Sequence, residues 1–174
     1  PQLRFACLAE AGTHVLFGAK WGTYKESEVS LARQVIQSLE PGMLCLTDRG
    51  LCNYPLWCQA FDRGADLLWR CRNEFVLPVA EVLPDGSYLS TFCPRSRTSV
   101  KNQPMKVRVI EYRINGIEDK DRVYRLITSI LDYTTAPALE LAALYHERWE
   151  IENCFDELKT HLLSGRDFLR SKTP

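Results

Sequence analysis

Tyr145, Arg148, Glu152 and Lys159 follow one another with two, three and six residues between them. They lie in a stretch, Ala138 to Leu163, that has neither Gly nor Pro. Pro137 stands where a helix would start, Thr134 or Thr135 could cap it, and Gly165 could end it. At about 100° per residue, Leu144, Ile151, Phe155, Leu158 and Leu162 form one apolar stripe. The Tyr, Arg, Glu and Lys fall in a second stripe, roughly 60° wide and roughly 75° from the first. The far side carries Glu147, Glu150, Asn153, Glu157 and His161. One helix would therefore show a core face, a solvent face and a ribbon. On that ribbon a phenol, a guanidinium, a carboxylate and an ammonium can point into one cleft. Spacing alone also allows a plain amphipathic border, with Arg148–Glu152 as an i,i+4 pair contributing about 0.3–0.5 kcal/mol.

A second acid stands out upstream. Met43 to Thr47 is a short apolar run that enters the polar turn Asp48-Arg49-Gly50, as a buried strand would. Asp48 stands at its C-terminal end, where ligands bind in open α/β sheets. The plainer reading is an Asp that shapes the turn before a helix at Tyr54 to Phe61.

The elements that must position these residues follow from periodicity. Leu3 to Ala9 and His14 to Trp21 read as strands joined by a hairpin loop at residues 10–13. Glu26 to Leu39 has helical spacing, with Thr23 or Ser27 as cap and Pro41-Gly42 as its end. A strand at Asp66 to Cys71 follows the Tyr54 helix. From about Glu74 the pattern turns β-rich: Phe75 to Leu83, Gly86 to Phe92, Lys106 to Ile114 and Arg122 to Ile130. Pro84-Asp-Gly86, Pro94 and Asn115-Gly116 punctuate that block, the last being a strong hairpin signal.

Composition narrows the function classes. Lys plus Arg and Asp plus Glu both number 22, so the formal net charge is zero, unlike a simple basic nucleic-acid binder. The charge is uneven, however. Cations from Arg95 to Arg125, and Arg166, Arg170 and Lys172 in the tail, suit phosphate contacts as well as solvated faces. No apolar run is long enough to cross a membrane, and no stretch reads as a secretory signal. The seven cysteines include no Cys-x-x-Cys pair and no His at zinc-ligand spacing, so they read as small buried hydrophobes in a reducing compartment. Pro1, the strand that begins at once behind it, and the abrupt end at Pro174 suggest a fragment of something longer.

Taken together, the Tyr145–Arg148–Glu152–Lys159 string resembles the signature (YREK) around the third acidic residue of bacterial insertion-sequence DDE transposases, which have a ribonuclease-H-like core. Thr47-Asp48-Arg49-Gly50 resembles the second-acid motif of that family. Asp85-Gly-Ser-Tyr88 and Leu169-Arg-Ser-Lys-Thr-Pro174 resemble further family segments, so the likeness covers nearly the whole chain. It implies an α/β fold: a ribonuclease-H-like mixed sheet flanked by helices, with a β-rich insertion before the last long helix. The corresponding divisions are strands and helices at 1–73, the insertion at 74–135, the acid-bearing helix at 136–163 and a basic tail at 164–174.

The resemblance also implies chemistry. Asp48 and Glu152 would be catalytic and would bind metal, supplying two of three carboxylates to a pair of Mg²⁺ ions, or Mn²⁺, roughly 3.5–4 Å apart. Arg148 and Lys159 would hold DNA phosphates, Tyr145 would touch the backbone through its hydroxyl, and Arg170 and Lys172 would add DNA contacts. The partner would be double-stranded DNA, both transposon ends and target, held by a homodimer in the bacterial cytoplasm at the nucleoid. The family's first Asp has no counterpart here, since no Asp precedes Asp48. The expectation is that it lies upstream of Pro1 and that this chain alone does not cut DNA. The other readings are a ribonuclease-H-like nuclease without strand transfer and a non-catalytic DNA-binding remnant.

Overall fold

The computed structural model of the chain describes residues 3–94, 103–113 and 123–149. Two strands, β1 (Leu3–Ala9) and β2 (Leu16–Thr23), form an antiparallel hairpin. Then come α1 (Glu28–Val35), which tightens into a 3-10 turn at Ile36–Ser38, β3 (Leu44–Thr47), α2 (Tyr54–Phe61) and β4 (Asp66–Arg70). The β-rich block supplies β5 (Glu81–Val82), β6 (Tyr88–Phe92), β7 (Met105–Tyr112) and β8 (Tyr124–Thr128). The last described helix is α3 (Ala138–His146), ending in a 3-10 turn at Glu147–Trp149.

Strands β3 to β8 make one six-stranded mixed sheet in the order β3-β4-β8-β7-β6-β5, with β3 and β4 parallel and the other pairs antiparallel. Strand β8 pairs directly with β4, so the strands after Glu74 continue the sheet begun by β3 and β4. Alternation along each strand divides two cores between the two faces of this sheet. Leu67, Trp69, Val107, Val109 and Ile127 pack with Ala32, Ile36, Leu56 and Trp57 from α1, its 3-10 turn and α2. Leu68, Ile110 and Leu126 pack with Ala138, Leu141 and Tyr145 of α3. A mixed sheet with helices on both faces is the α/β class that the ribonuclease-H-like expectation requires.

Local signals account for most boundaries. The Ser27 side chain accepts the N–H of Ser30 and caps α1, and Asn53 accepts the N–H of Leu56 at 3.0 Å to cap α2. The hairpin lies against α1 and its 3-10 turn. Gly18 (φ +60°) allows this, because a Cβ there would sit 2.7 Å from Ser38 Oγ. The strand expected at Phe75 to Leu83 shrinks to Glu81–Val82. Pro78 has no N–H to give a ladder, and Val76 and Val79 are 86% and 60% exposed. The described part of the long helix is α-helical only to His146, and residues 150–163, like the Asn115-Gly116 turn, lie outside the described residues. Its buried face is set by Ala138, Leu141, Ala142 and Tyr145, an i, i+3, i+4, i+7 series. Tyr145 therefore belongs to the face against the sheet, and Leu144, expected in the core stripe, is only half-buried.

Candidate active site

Asp48 is the first residue beyond β3, on the side where both parallel strands end. Its Oδ1 accepts the N–H of Gly50 at 2.8 Å and of Leu51 at 3.3 Å, so the carboxylate closes its own turn. Its side chain is exposed, and Oδ2 makes no hydrogen bond among the described residues.

Tyr145 reaches this place from α3. The ring is buried, with 4% of its surface exposed, and its hydroxyl donates to the Thr47 carbonyl at 3.1 Å. That bond fastens the end of α3 to the chain one residue before Asp48. Burial pushes the phenol up to about 12, against the opposing charges of Arg148 and Arg70 and with a smaller push from Asp48. The Arg148 guanidinium lies 5.8 Å from the Tyr145 ring centroid. Thr47, Asp48, Glu147 and Arg148 all border one cavity of about 860 Å³. Asp48, Tyr145 and Arg148 are thus brought together. The Tyr145 hydroxyl is bonded to Thr47 rather than left open to the cavity, and Glu147, expected on the solvent side, stands at its rim. Glu152, Lys159, Arg170 and Lys172 lie outside the described residues.

The cavity runs between two strand edges. Phe5 to Ala9 of β1 and Met43 to Thr47 at β3 line it with consecutive residues. Side chains alternate between the faces of a strand, so an unbroken run borders a cavity only along the backbone edge. This edge of β3 has no strand beside it among the described residues, because β4 occupies the other edge. Thr47 Oγ1 is buried here with no hydrogen-bond partner among the described residues.

A buried polar cluster fixes the start of α3. Arg108 of β7 is 0% exposed and alternates with Val107 and Val109, so its side chain emerges on the α3 face. Its Nη2 meets Asp85 Oδ2 at 2.6 Å, its Nε donates to Ser87 Oγ at 2.8 Å, and its Nη1 donates to the Ala136 carbonyl at 2.7 Å. Asp85 Oδ2 also accepts the N–H of Ala138 at 2.9 Å, the first residue of α3. Asp85 caps the helix from 53 residues away, the task expected of Thr134 or Thr135. Those two hydroxyls instead bind Asp132, at 2.7 Å each. The Pro84-Asp-Gly86 turn signal gave the bend but not this role, because the partner lies on another strand. Gly86 (φ +81°) completes that turn.

A divalent ion would find a donor at the end of β3. Asp48 offers a hard carboxylate oxygen that no N–H has claimed. No group of three or more His, Cys, Asp or Glu gathers as a metal site among the described residues. The six described cysteines are free thiols. Burial raises Cys45 to about 11 and Cys71 to about 12, which suits packing rather than reactivity. Among the described residues no helix is long and apolar enough to cross a membrane.

The fold agrees with a family match. The transposase DDE domain model matches residues 2–173, and the chain belongs to that family. All of the chain aligns, at 32% identity over 181 residues, with the transposase InsG for insertion sequence element IS4 of Escherichia coli (strain K12). It spans 40% of that relative's length. Divalent metal ions and a DNA substrate are general to the family.

Proposed function

We propose that this chain forms part of the catalytic core that cleaves transposon ends and joins them to target DNA. The observation that carries this is the end of β3: Asp48 with an unbonded carboxylate oxygen, Arg148 on the same cavity, and Tyr145 fastened to Thr47 between them. In this reading Asp48 and Glu152 hold Mg²⁺, or Mn²⁺, and the Tyr145–Arg148–Glu152–Lys159 string is the family's third-acid signature. Bound metal would activate a water or a 3′-hydroxyl and neutralise charge on the scissile phosphate. Arg148 and Lys159 grip phosphates, Arg170 and Lys172 add contacts from the tail, and Tyr145 sets the separation of α3 from β3. The substrate is double-stranded DNA held by two copies of the protein, in the bacterial cytoplasm at the nucleoid.

The first acid of the triad is absent from these residues, since no Asp precedes Asp48. We take it to be supplied on a strand from outside the 174 residues that pairs with the open edge of β3, in the cavity shared with β1. The divisions of the chain at 73/74, 135/136 and 163/164 stay part of the same proposal.

Calorimetric titration of Mn²⁺ into the chain, beside Asp48→Asn and Glu152→Gln, tests the metal site. Weak binding lost in both variants is the expected result, and binding that persists in both would move the metal elsewhere. A longer chain carrying the upstream Asp should nick DNA where the 174-residue chain does not. Robust nicking by the short chain, abolished by Asp48→Ala, would refute the incomplete triad. A nuclease without strand transfer would fail to join a 3′-hydroxyl to target DNA. A binding remnant would hold DNA regardless of Mg²⁺ and of Glu152→Ala.

A further inference from the structure

A second cavity, of about 360 Å³, lies on the other side of the Asp48 turn. Its walls include Arg49 and Gly50 after β3, Arg70, Arg72 and Glu74 at and after the end of β4, and Val123 before β8. Three arginines and one glutamate border a space that begins one residue from Asp48. The proposed catalytic cleft does not use this cavity.

The walls are held in place. The Arg70 guanidinium lies 4.1 Å from the Tyr124 ring centroid. Tyr124 in turn stacks on Tyr112 at 5.5 Å, and Tyr112 meets the edge of His146 at the end of α3 at 5.7 Å. The loop carrying Arg72 is pinned from β8: Arg125 donates to the carbonyls of Asn73 and Phe75 at 3.1 and 3.2 Å, while its Nε meets Glu111 at 2.6 Å. Arg125 is therefore a strut with its charge already paired. Arg49 and Arg72 are exposed, and neither has an ion pair among the described residues. A stacked Arg and a pinned loop lower the ordering cost of gripping an anion.

We propose that Arg49, Arg70 and Arg72 bind a backbone phosphate of the DNA strand next to the one being cut, so that the strand crosses the Asp48 turn from one cavity to the other. The inference rests on the transposase reading of Asp48 and Arg148 and adds a separate anion site to it. Guanidinium forks suit phosphodiester oxygens. The cavity opens beyond the ends of the parallel strands, which is where ligands of open α/β sheets sit.

Equilibrium binding of a fluorescent DNA duplex to the 174-residue chain, measured across a range of salt concentrations, tests it. Replacing Arg49 and Arg72 together by Gln, leaving the stacked Arg70 intact, should weaken binding. It should also flatten the log K against log salt slope by about 0.9, the value for the one phosphate no longer neutralised. Glu74→Gln should tighten binding, a gain that misfolding cannot imitate. Arg33→Gln on α1 should leave the slope as in the parent chain. If the double variant keeps the parent slope while Arg148→Ala flattens it, the second site falls and the transposase reading stands. If the double variant flattens the slope and Arg148→Ala does not, the second site stands and the assignment of Arg148 falls. Equal flattening by Arg33→Gln would reduce the effect to diffuse charge and overturn the site. A parent chain that binds no DNA would overturn both.

Discussion

Asp48 and Asp85 begin from the same local chemistry and end with opposite work. Each follows a strand or leads into one, and each uses Oδ1 to accept the N–H two residues on, from Gly50 at 2.8 Å and from Ser87 at 3.1 Å. The difference lies in Oδ2. At Asp85 it meets Arg108 at 2.6 Å and the first N–H of α3 at 2.9 Å. At Asp48 it meets nothing among the described residues. Burial alone would raise the Asp85 carboxyl. The Ser87 hydroxyl, the N–H groups of Ala138 and Ser87, and the Arg108 charge outweigh it and hold the acid below the usual carboxylate range. A turn aspartate becomes structural when its second oxygen is claimed, and stays available to a ligand when it is not.

The largest effect should come from breaking the claimed oxygen. Asp85→Ala would leave the wholly buried Arg108 without its counter-charge and α3 without its cap. A loss of about 3–5 kcal/mol is expected, read from urea denaturation. A loss below about 1 kcal/mol, the ordinary worth of one hydrogen bond, would mean that Ser87 and the Ala136 carbonyl satisfy Arg108 unaided. Acid should act in the same direction. Because folding depresses the Asp85 pKa, its contribution is present above the unfolded value of 3.8 and lost as pH falls through the folded one. Asp132 follows the same sign, held to about 2 by the hydroxyls of Thr134 and Thr135. The melting temperature of the parent chain should therefore drop below about pH 4. Asp85→Asn, already weaker, should drop less steeply, with Asp132 accounting for what remains. Parallel pH curves for the two chains would remove Asp85 from the acid response.

How much of this is legible in the sequence depends on the range of each interaction. The helix at Tyr54 to Phe61 and the Ser27 cap are visible because their causes lie within a few residues: Asn53, Pro55 and Ser27 itself. Asp48 at the end of a buried strand is visible for the same reason. The phase of the last helix differs from the periodicity, which takes its direction from Ile151 and Phe155 downstream, whereas in α3 the sheet selects Ala138, Leu141, Ala142 and Tyr145. The strand expected at Phe75 to Leu83 overreaches because the apolar composition of that stretch masks the effect of Pro78, which shortens it to Glu81–Val82. Arg108 looks like one of a run of surface cations, although its alternation with Val107 and Val109 is a signal that it faces one side of a strand. Its partner, 23 residues away, cannot be read from local pattern. Arg70 and Arg72 gain meaning only once β3 and β4 are parallel and their ends adjacent.

A smaller effect should follow from Tyr145→Phe, which keeps the buried ring and removes the hydroxyl that donates to the Thr47 carbonyl. About 0.5–1.5 kcal/mol of stability is expected to go, the usual net worth of a neutral hydrogen bond. This variant sharpens the comparison by loosening α3 at the Asp48 end while the Asp85 end stays capped. Weaker DNA binding with nearly unchanged stability would instead give the hydroxyl a direct contact with DNA.

The smallest effect on stability should belong to Asp48→Asn. The Asn side-chain oxygen can still accept from Gly50 and Leu51, so the turn survives the loss of charge. The expected change is within about 0.5 kcal/mol, as for an exposed site with no buried partner, measured by the same denaturation as Asp85→Ala. Any Mn²⁺ binding should disappear with the charge, because a neutral amide is a poorer ligand for a hard cation. A destabilisation as large as that of Asp85→Ala would show the second oxygen of Asp48 to be claimed after all, and the contrast between the two acids would collapse. A neutral change in stability together with lost metal binding would separate fold from chemistry at one residue, since a single carboxylate would then matter only when a ligand is present.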